Sequence, residues 1–434
     1  MTRPHMRPKS GLQRRYSVSV VSCAVKVLFR CVTTATAVLA VASFLALMRL
    51  ESNPTIDGNI NNNNMLIHDP YLLRRNPPSF TVTNTTCHIP PGIGEEGPAG
   101  IRALYKIYRH QQEEQKRLVS NPQKKKIRLL CMVYTHSNRH DVIRSIAETY
   151  GQECDGFLAA SNLTDPTIGA YNLLHNGPEA YQNMWNKVQK MWFYVYKHYL
   201  LEFDWFLICG DDTFVIPDNV RTVAAQYEME AVNKQRRRQN PSPTPLYLGA
   251  SIPHSKNAKR RFCGGGAGYM LNQPAVLLLN RRIHMGECPD ALASDEDIRV
   301  ARCLEDAGVK CHDTNDDAEE VRFHHLDAQF HASWTPQQSA LWLWPKLQYF
   351  HGIRGNQSKL EQISNTTTTF HLDKSKVRTQ ERDRGIRRYH AILHPEVCDP
   401  DFAAMVEAAA TCDADQQAVL RQAWLKKAIP SSSG

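Results

Sequence analysis

The stretch that decides the fold is residues 204–216, DWFLICGDDTFVI. Its apolar part, 205–209, has the length and continuous hydrophobicity typical of a strand that is buried on both faces of a parallel sheet. The run ends at two adjacent carboxylates, Asp211 and Asp212. Burying them is costly unless something neutralises their charge, and divalent cations such as Mg²⁺ and Mn²⁺ prefer carboxylate oxygens. The alternative is that the aspartates only form a turn or a helix cap.

Similar apolar runs lie on the N-terminal side of this stretch. Residues 127–134 and 156–160 are predicted strands, and residues 141–150 and 180–199 are predicted helices. Alternating strands and helices of these lengths indicate an α/β protein with a doubly wound, mostly parallel, Rossmann-like sheet. Ligands of such sheets bind beyond the carboxyl ends of the strands, so we expect Thr135, which follows the first strand, at the site.

Three further local predictions concern the chain around the aspartates. The aromatic residues of the second predicted helix are expected to pack in the core rather than to bind a cofactor. They are Tyr181, Trp185, Trp192 and Tyr196. Pro217 is interpreted as the end of the segment that contains the aspartates. The basic residues 234–245 are predicted to form a loop, and residues 246–249 a short strand.

Two more polar motifs follow the aspartates. Residues 264–269 read GGGAGY, and such glycines permit a close backbone approach to a ligand, although alone they could form only a tight turn. Residues 294–298 read SDEDI and precede a predicted helix at 298–307. Acidic residues at a helix start serve as caps, or one of them serves as a general base.

The order of these motifs resembles glycosyltransferase family 31, and within it the core 1 β1,3-galactosyltransferases, which extend O-linked GalNAc. The motifs are the aspartate turn at 204–216, Gly-Gly-Ala-Gly-Tyr at 265–269, Glu296-Asp297 and Phe370-His371-Leu372. The segment from Trp185 to Phe206 is particularly similar, and the resemblance extends over about residues 127–394.

The resemblance implies a GT-A fold, a UDP-sugar donor, a manganese ion and inversion at the sugar carbon. It places the metal on Asp212, with Asp211 beside it and His371 as a further ligand. It makes Asp297, in preference to Glu296, the base that deprotonates the acceptor. The residues expected at the donor are Asp211, Thr135, Gly265 and Gly266.

The chain also departs from the family pattern. Gly210 stands where the family has its first aspartate, so one contact to metal or ribose is missing. The segment before His371 is rich in Asn and Thr, which leaves His324, His325 and His331 as rival ligands. Two tryptophans replace a family aromatic cluster and either stack on an acceptor sugar or pack in the core. They are Trp342 and Trp344.

The positive charge of the chain is concentrated at its N-terminus. The formal net charge is +9, and residues 1–50 hold eight Lys/Arg and no Asp or Glu, so the rest is close to neutral and nucleic acid is not an expected partner. Residues 31–48 carry no charge and would span a bilayer as a helix, with the N-terminus in the cytosol. The alternative is a signal peptide cleaved near Ala40-Val41-Ala42.

This topology predicts the organisation of the chain. A cytosolic tail (1–30), a single transmembrane anchor (31–48) and a stem with a helical segment (49–126) precede a GT-A domain (127–395) and a C-terminal helix and tail (396–434). Ten of the twelve cysteines would be lumenal, where disulfides are expected. Four sequons would accept N-glycans there, at Asn84, Asn162, Asn356 and Asn365.

We therefore expect a type II Golgi membrane enzyme that uses Mn²⁺ to transfer galactose from UDP-galactose in β1,3 linkage to a GalNAc-bearing glycoprotein. Two alternatives stay open. One is another donor, such as UDP-GlcNAc, and the other is a catalytically silent relative that acts as a folding partner. The sequence also leaves open whether the chain forms a homodimer.

Overall fold

The computed structural model describes parts of the chain between residues 73 and 411. The described residues are 73–74, 97–119, 127–238, 243–254, 257–288, 292–333, 363–372, 379–398 and 400–411, and all belong to the unit spanning residues 69–434. The predicted tail and anchor (1–48) lie outside them. No helix in these ranges combines the length and the apolar character needed to span a membrane.

The strands are short, and most follow the apolar runs of the sequence. In chain order they are β1 (Leu73–Arg74), β2 (Leu129–Tyr134), β3 (Gly156–Ser161), β4 (Ala170–Asn172), β5 (Trp205–Gly210), β6 (Thr213–Val215), β7 (Tyr247–Gly249), β8 (Ser251–His254), β9 (Asn257–Cys263), β10 (Tyr269–Asn272), β11 (Cys311–Asp313), β12 (Phe323–His324) and β13 (Thr369–His371).

The helices lie between and after the strands. They are α1 (Gly97–Val119), α2 (His140–Glu148), α3 (Tyr150–Glu153), α4 (Met184–His198), α5 (Pro217–Arg238), α6 (Gln273–His284), α7 (Glu296–Glu305), α8 (Ala328–Ser333), α9 (Thr379–Leu393), α10 (Pro395–Cys398) and α11 (Pro400–Thr411). Among the described residues, short 3₁₀ turns lie at 137–139, 166–168, 181–183 and 265–267.

The main sheet has the strand order β1-β3-β2-β5-β10-β7-β11, with β4 paired to β3. Strands β4, β3, β2 and β5 are parallel, and β11 is parallel to β7, whereas β10 is antiparallel to both of its neighbours. The predicted mixed α/β class with a largely parallel central sheet is confirmed, and the arrangement fits a GT-A fold.

The central strands are buried because both faces of the sheet are covered. Successive residues of β2 belong to two different core clusters, with Leu129 and Cys131 in one and Leu130 and Met132 in the other. Of the aromatic residues predicted to pack in the core, Trp185 and Trp192 of α4 are buried in the second cluster, whereas Tyr181 and Tyr196 are exposed.

Helices α1 and α2 contribute to the first cluster. Ile101, Leu104 and Ile107 of α1 are buried in it, although the sequence placed this helix in the predicted stem. The three side chains are spaced three residues apart, and they lie on the same face of the helix because residues three and four apart are neighbours on a helix surface.

Helix α5 differs from the prediction. The basic segment from Lys234 was expected to be a loop, and instead residues 234–238 form the last turns of α5. Pro217, interpreted as the end of a segment, is the first residue of this helix, where its fixed φ and missing N–H are favourable. The predicted short strand at 246–249 is confirmed as β7.

A small second sheet, in the order β12-β13-β6, lies next to the aspartate turn. Strand β13 is antiparallel to β6, and the register pairs His371 with Thr213. The N–H of Leu372 donates to the carbonyl oxygen of Asp212 at 2.7 Å. This pairing brings the Phe-His-Leu motif to the end of β5.

Disulfides form among the described cysteines, as predicted. The pairs are Cys131–Cys154, Cys263–Cys311 and Cys288–Cys303. The first links the middle of β2 to the residue after α3. Cys209, at the end of β5, is a buried free thiol.

Candidate active site

A cleft of about 660 Å³ opens beyond the carboxyl ends of β2 and β5. Residues from six segments that are distant in sequence meet there, and they include all eight residues predicted to bind the donor or metal or to act as the base. These are Thr135, Asp211, Asp212, Gly265, Gly266, Glu296, Asp297 and His371. The position is the one expected for a ligand of a parallel α/β sheet.

The two carboxylates after β5 have different partners. Asp211 accepts a hydrogen bond from the Thr135 hydroxyl at 2.7 Å, and its other oxygen forms an ion pair with Arg139 at 2.5 Å. Burial, followed by the nearby charge of Asp212, raises the pKa of Asp211, and Arg139 and Thr135 oppose the shift. Both oxygens of Asp211 therefore already have protein partners.

Asp212 lies beside His371. Its Oδ2 is 3.3 Å from His371 Nε2, and His371 Nδ1 is 3.1 Å from the carbonyl oxygen of His325. A carbonyl only accepts, so Nδ1 carries the proton and the lone pair of a neutral ring is on Nε2. The buried Nε2 makes no hydrogen bond with the described residues. Asp212 Oδ2 and His371 Nε2 are thus an oxygen and a nitrogen that are close enough together to bind the same ion.

The rival histidines have other surroundings. His324 is fully buried, stacks on Phe370 with ring centroids 4.6 Å apart, and lies 3.2 Å from the Thr367 hydroxyl. His331 is also buried and packs against His324. Neither lines the cleft, and His325 positions His371 through its backbone. His371 is therefore the histidine that the fold brings to the aspartates.

Gly210 leaves room for the Asp212 side chain. A Cβ atom at this position would lie 2.7 Å from Asp212 Oδ1 and 3.2 Å from the ring of Tyr134. The first distance is shorter than real Cβ contacts, so a side chain here would displace the carboxylate. In this chain, the present position of the Asp212 carboxylate therefore requires glycine at residue 210, where the family has its first aspartate.

The acidic cluster lies where α7 begins, opposite the glycine run. Asp297 accepts from the Gly265 N–H at 2.7 Å and from the Ile298 N–H at 2.8 Å, and Glu296 accepts from the Tyr269 hydroxyl at 2.7 Å. Burial raises the pKa of Glu296 well above its usual value, and the charge of Asp297 adds to the shift. Burial raises the pKa of Asp297 too, and the two N–H groups oppose the shift.

Sequence reasoning missed a group of charged residues in the cleft. Lys187 is buried, donates to the carbonyl oxygen of Thr135 at 2.5 Å, and pairs with Glu179, which is also 2.6 Å from His175. Burial lowers the pKa of Lys187, and the pairing with Glu179 offsets part of the shift. One signal was present: Lys187 lies on the same face of α4 as buried Met191.

The remaining predicted sites are only partly described. Asn162 follows β3 and is half-buried, with its amide oxygen accepting from the Ser137 N–H at 2.8 Å. Asn365 lies before β13 and is half-buried. The other predicted positions, Asn84, Asn356, Trp342 and Trp344, lie outside the described residues.

Comparison with known proteins identifies relatives of the chain. No protein-family model matches it. Glycoprotein-N-acetylgalactosamine 3-beta-galactosyltransferase 1 of Xenopus laevis is 27% identical over 233 residues, which are 53% of this chain and 60% of that protein. Chondroitin sulfate glucuronyltransferase of Homo sapiens is 31% identical over 121 residues, 27% of this chain and 14% of that protein.

Both relatives are glycosyltransferases by name, and the chain spans less than two thirds of the length of each. The similarity to the Xenopus protein supports the resemblance found in the sequence, to the core 1 galactosyltransferases of glycosyltransferase family 31.

Proposed function

We propose that the chain is an inverting, metal-dependent glycosyltransferase that transfers galactose from UDP-galactose in β1,3 linkage to O-linked GalNAc on glycoproteins. The observation that carries the proposal is the cleft itself. It joins a carboxylate–imidazole pair, a glycine-lined wall and a separate carboxylate pair at the carboxyl ends of parallel strands. The name of the Xenopus relative supports the choice of sugar and acceptor.

The residues present fit a divalent cation such as Mn²⁺. Asp212 Oδ2 and His371 Nε2 lie 3.3 Å apart, and the buried Nε2 has no hydrogen bond among the described residues. Oxygen and imidazole ligands suit Mn²⁺, although they do not select it. When bound, the ion would offset the charge that develops on the UDP leaving group. Asp211, the neighbour of Asp212, is held in place by Thr135 and Arg139.

The donor would bind across the strand ends. Gly265 and Gly266 line one wall of the cleft, where side chains would be crowded. A Cβ atom on residue 265 would lie 2.6 Å from Glu296 Oε1, too close to be accommodated without a shift, and one on residue 266 would lie in tight contact with His371, at 3.2 Å. Glycines here keep the backbone close to the site. Thr135 and Asp211 would contact the nucleotide side of the donor.

Asp297 would act as the general base. Its carboxylate would accept the proton of the acceptor hydroxyl as that oxygen bonds to the anomeric carbon and the bond to UDP breaks, which inverts the sugar carbon. The two backbone N–H groups hold the carboxylate in place. Glu296, fixed by Tyr269, would orient this segment or contact a donor hydroxyl.

The decisive experiment measures UDP release by the purified protein with a panel of UDP-sugars, with and without Mn²⁺ and a GalNAc-bearing acceptor. We expect Mn²⁺-dependent transfer with UDP-galactose and little with other donors. A preference for UDP-GlcNAc would show that the proposed donor is wrong and that the proposed reaction, transfer of a sugar from a UDP-sugar, is right. No release with any donor would favour the silent folding partner, an alternative that Gly210 keeps open.

A shape test of Gly210 follows from the steric contact. Gly210→Ala should lower turnover by up to ~10²-fold with little change in melting temperature, because the new Cβ displaces the Asp212 carboxylate. Steady-state kinetics and thermal unfolding of the same preparation measure both effects. Unchanged Mn²⁺-dependent turnover would show that the position of Asp212 is not critical.

The raised pKa values of the acidic pair predict an acid limb in the pH profile. The base must be deprotonated, so turnover should fall as pH decreases, with a midpoint above about 3.9, the usual pKa of an aspartate. Asp295→Asn removes a charge that raises the pKa of both Glu296 and Asp297. It should move the limb to lower pH, whereas an unmoved limb would mean that another group titrates.

We also propose that the chain is a single-pass type II protein of the Golgi membrane, with residues 1–30 cytosolic and the catalytic domain lumenal. The charge asymmetry around residues 31–48 supports this. Protease treatment of sealed microsomes should remove only about the first thirty residues. A secreted product beginning near residue 43 would identify a cleaved signal peptide instead.

A further inference from the structure

A second group of metal-ligand side chains lies away from the cleft. Glu153 ends helix α3, and His390 and His394 lie one turn apart at the end of α9. Among the described residues, this is the one group of at least three His, Cys, Asp or Glu side chains whose ligand atoms all lie within 4.8 Å of one another. None of the three lines the cleft.

Two of the three distances between the ligand atoms fit a coordination shell, and the third is at most 4.8 Å. Nε2 of His390 and Nε2 of His394 each lie 3.1 Å from the same oxygen, Oε1 of Glu153. Zinc bonds to imidazole nitrogen and carboxylate oxygen are about 2.0–2.2 Å long, so two ligands of a tetrahedral ion lie roughly 3.3 Å apart. The observed distances are close to that edge.

The nearby cations are held by other groups. Arg221 donates to the backbone oxygen of Glu153 at 2.6 Å, and its side chain pairs with Asp155 and Asp218. Arg387 pairs with Glu148 at 2.7 Å. The Glu153 carboxylate therefore faces the two imidazoles, and the three side chains are between 23% and 29% exposed, which leaves access for an ion and for water.

We propose that Glu153, His390 and His394 bind a divalent transition-metal ion of the Zn²⁺ class at a site distinct from the cleft. Two imidazoles and one carboxylate suit Zn²⁺, whereas Mg²⁺ and Ca²⁺ prefer all-oxygen shells. Water would complete the tetrahedron.

A metal ion at this site would hold α9 against the main sheet and the small second sheet. Glu153 precedes Cys154, which is disulfide-bonded to Cys131 on β2. On the other side, Tyr389 next to His390 packs against Phe214 and Phe370 of the small sheet that carries His371. A bound ion would therefore link α9 to both sheets near the candidate active site.

The test uses the full chain, first stripped of metal with a chelator and then titrated with Zn²⁺ and with Co²⁺. Zn²⁺ at a hundredfold excess over its dissociation constant should raise the melting temperature by about 3 °C or more. Co²⁺ should give the visible absorption bands of a tetrahedral site. Glu153→Gln, His390→Gln and His394→Gln should each lose one equivalent of bound metal and the thermal shift.

Two controls separate this site from other metal binding. Asp212→Asn, at the candidate active site, and His284→Ala, on the exposed end of α6, should both retain the equivalent that the three Gln variants lose. The Gln substitutions keep size and polarity, and circular dichroism of the metal-free variants verifies the fold. The proposal is overturned if the three variants bind as much Zn²⁺ as the unchanged chain, or if Zn²⁺ leaves its melting temperature unaltered.

Discussion

Asp212→Asn should lower Mn²⁺-dependent transfer by at least about 10²-fold, the loss typical of removing a main electrostatic stabiliser. The substitution keeps the shape of the side chain and removes the charge that would hold the cation beside His371. The fold should be retained, because the backbone bond from Leu372 to residue 212 is unaffected. Transfer kinetics and Mn²⁺ titration of the same preparation measure the effect.

Three further variants make this prediction specific. His371→Ala should weaken Mn²⁺ binding in the same assay, because it removes the second ligand. Asp211→Asn should cost less, since its carboxylate is occupied by Thr135 and Arg139. Asp306→Asn, an exposed position after α7, is the matched control and should be neutral. If the Asp212→Asn variant kept its Mn²⁺-dependent turnover, Asp212 would not be a ligand of the metal.

Asp297→Asn should lower turnover by about 10²- to 10⁴-fold, the range expected for loss of a general base, and leave UDP and Mn²⁺ affinity nearly unchanged. The structure adds a second effect. An amide has one acceptor oxygen, so the variant also loses the bond from Gly265 or from Ile298, and its stability should fall by about 1 kcal/mol.

The two roles of Asp297 separate when turnover is expressed per folded molecule. A cap without a catalytic role would lower the melting temperature and leave that turnover normal. Glu296→Gln should be milder, because an amide oxygen still accepts from the Tyr269 hydroxyl. Normal turnover in Asp297→Asn would return the residue to a purely structural role.

The sequence alone predicted the central strands, because a strand buried on both faces requires a continuous apolar run. Strands β2, β3 and β5 lie where those runs are. It failed for α5, whose charged second half carries no clear apolar stripe and whose first proline was interpreted as an end. The sequence pattern therefore predicts an element only where burial imposes a clear arrangement of apolar residues along it.

The candidate site was predicted in part for the same reason. The carboxylates at Asp211, Asp212, Glu296 and Asp297 stand out because acidic pairs are unusual beside apolar runs and at a glycine-facing helix start. The partners Arg139 and Lys187 do not stand out, because each becomes part of the site only through residues far away in sequence.

The choice of histidine shows most clearly what only the tertiary structure decided. His324 and His371 both follow a phenylalanine, and local sequence does not rank them. The antiparallel register of β13 on β6 places His371 beside Asp212, whereas His324 on β12 stacks against Phe370 in the core. The register of a strand depends on which of its side chains are buried against the rest of the fold. Residues far apart in sequence make those contacts, so the sequence around each histidine does not reveal which one lies beside Asp212.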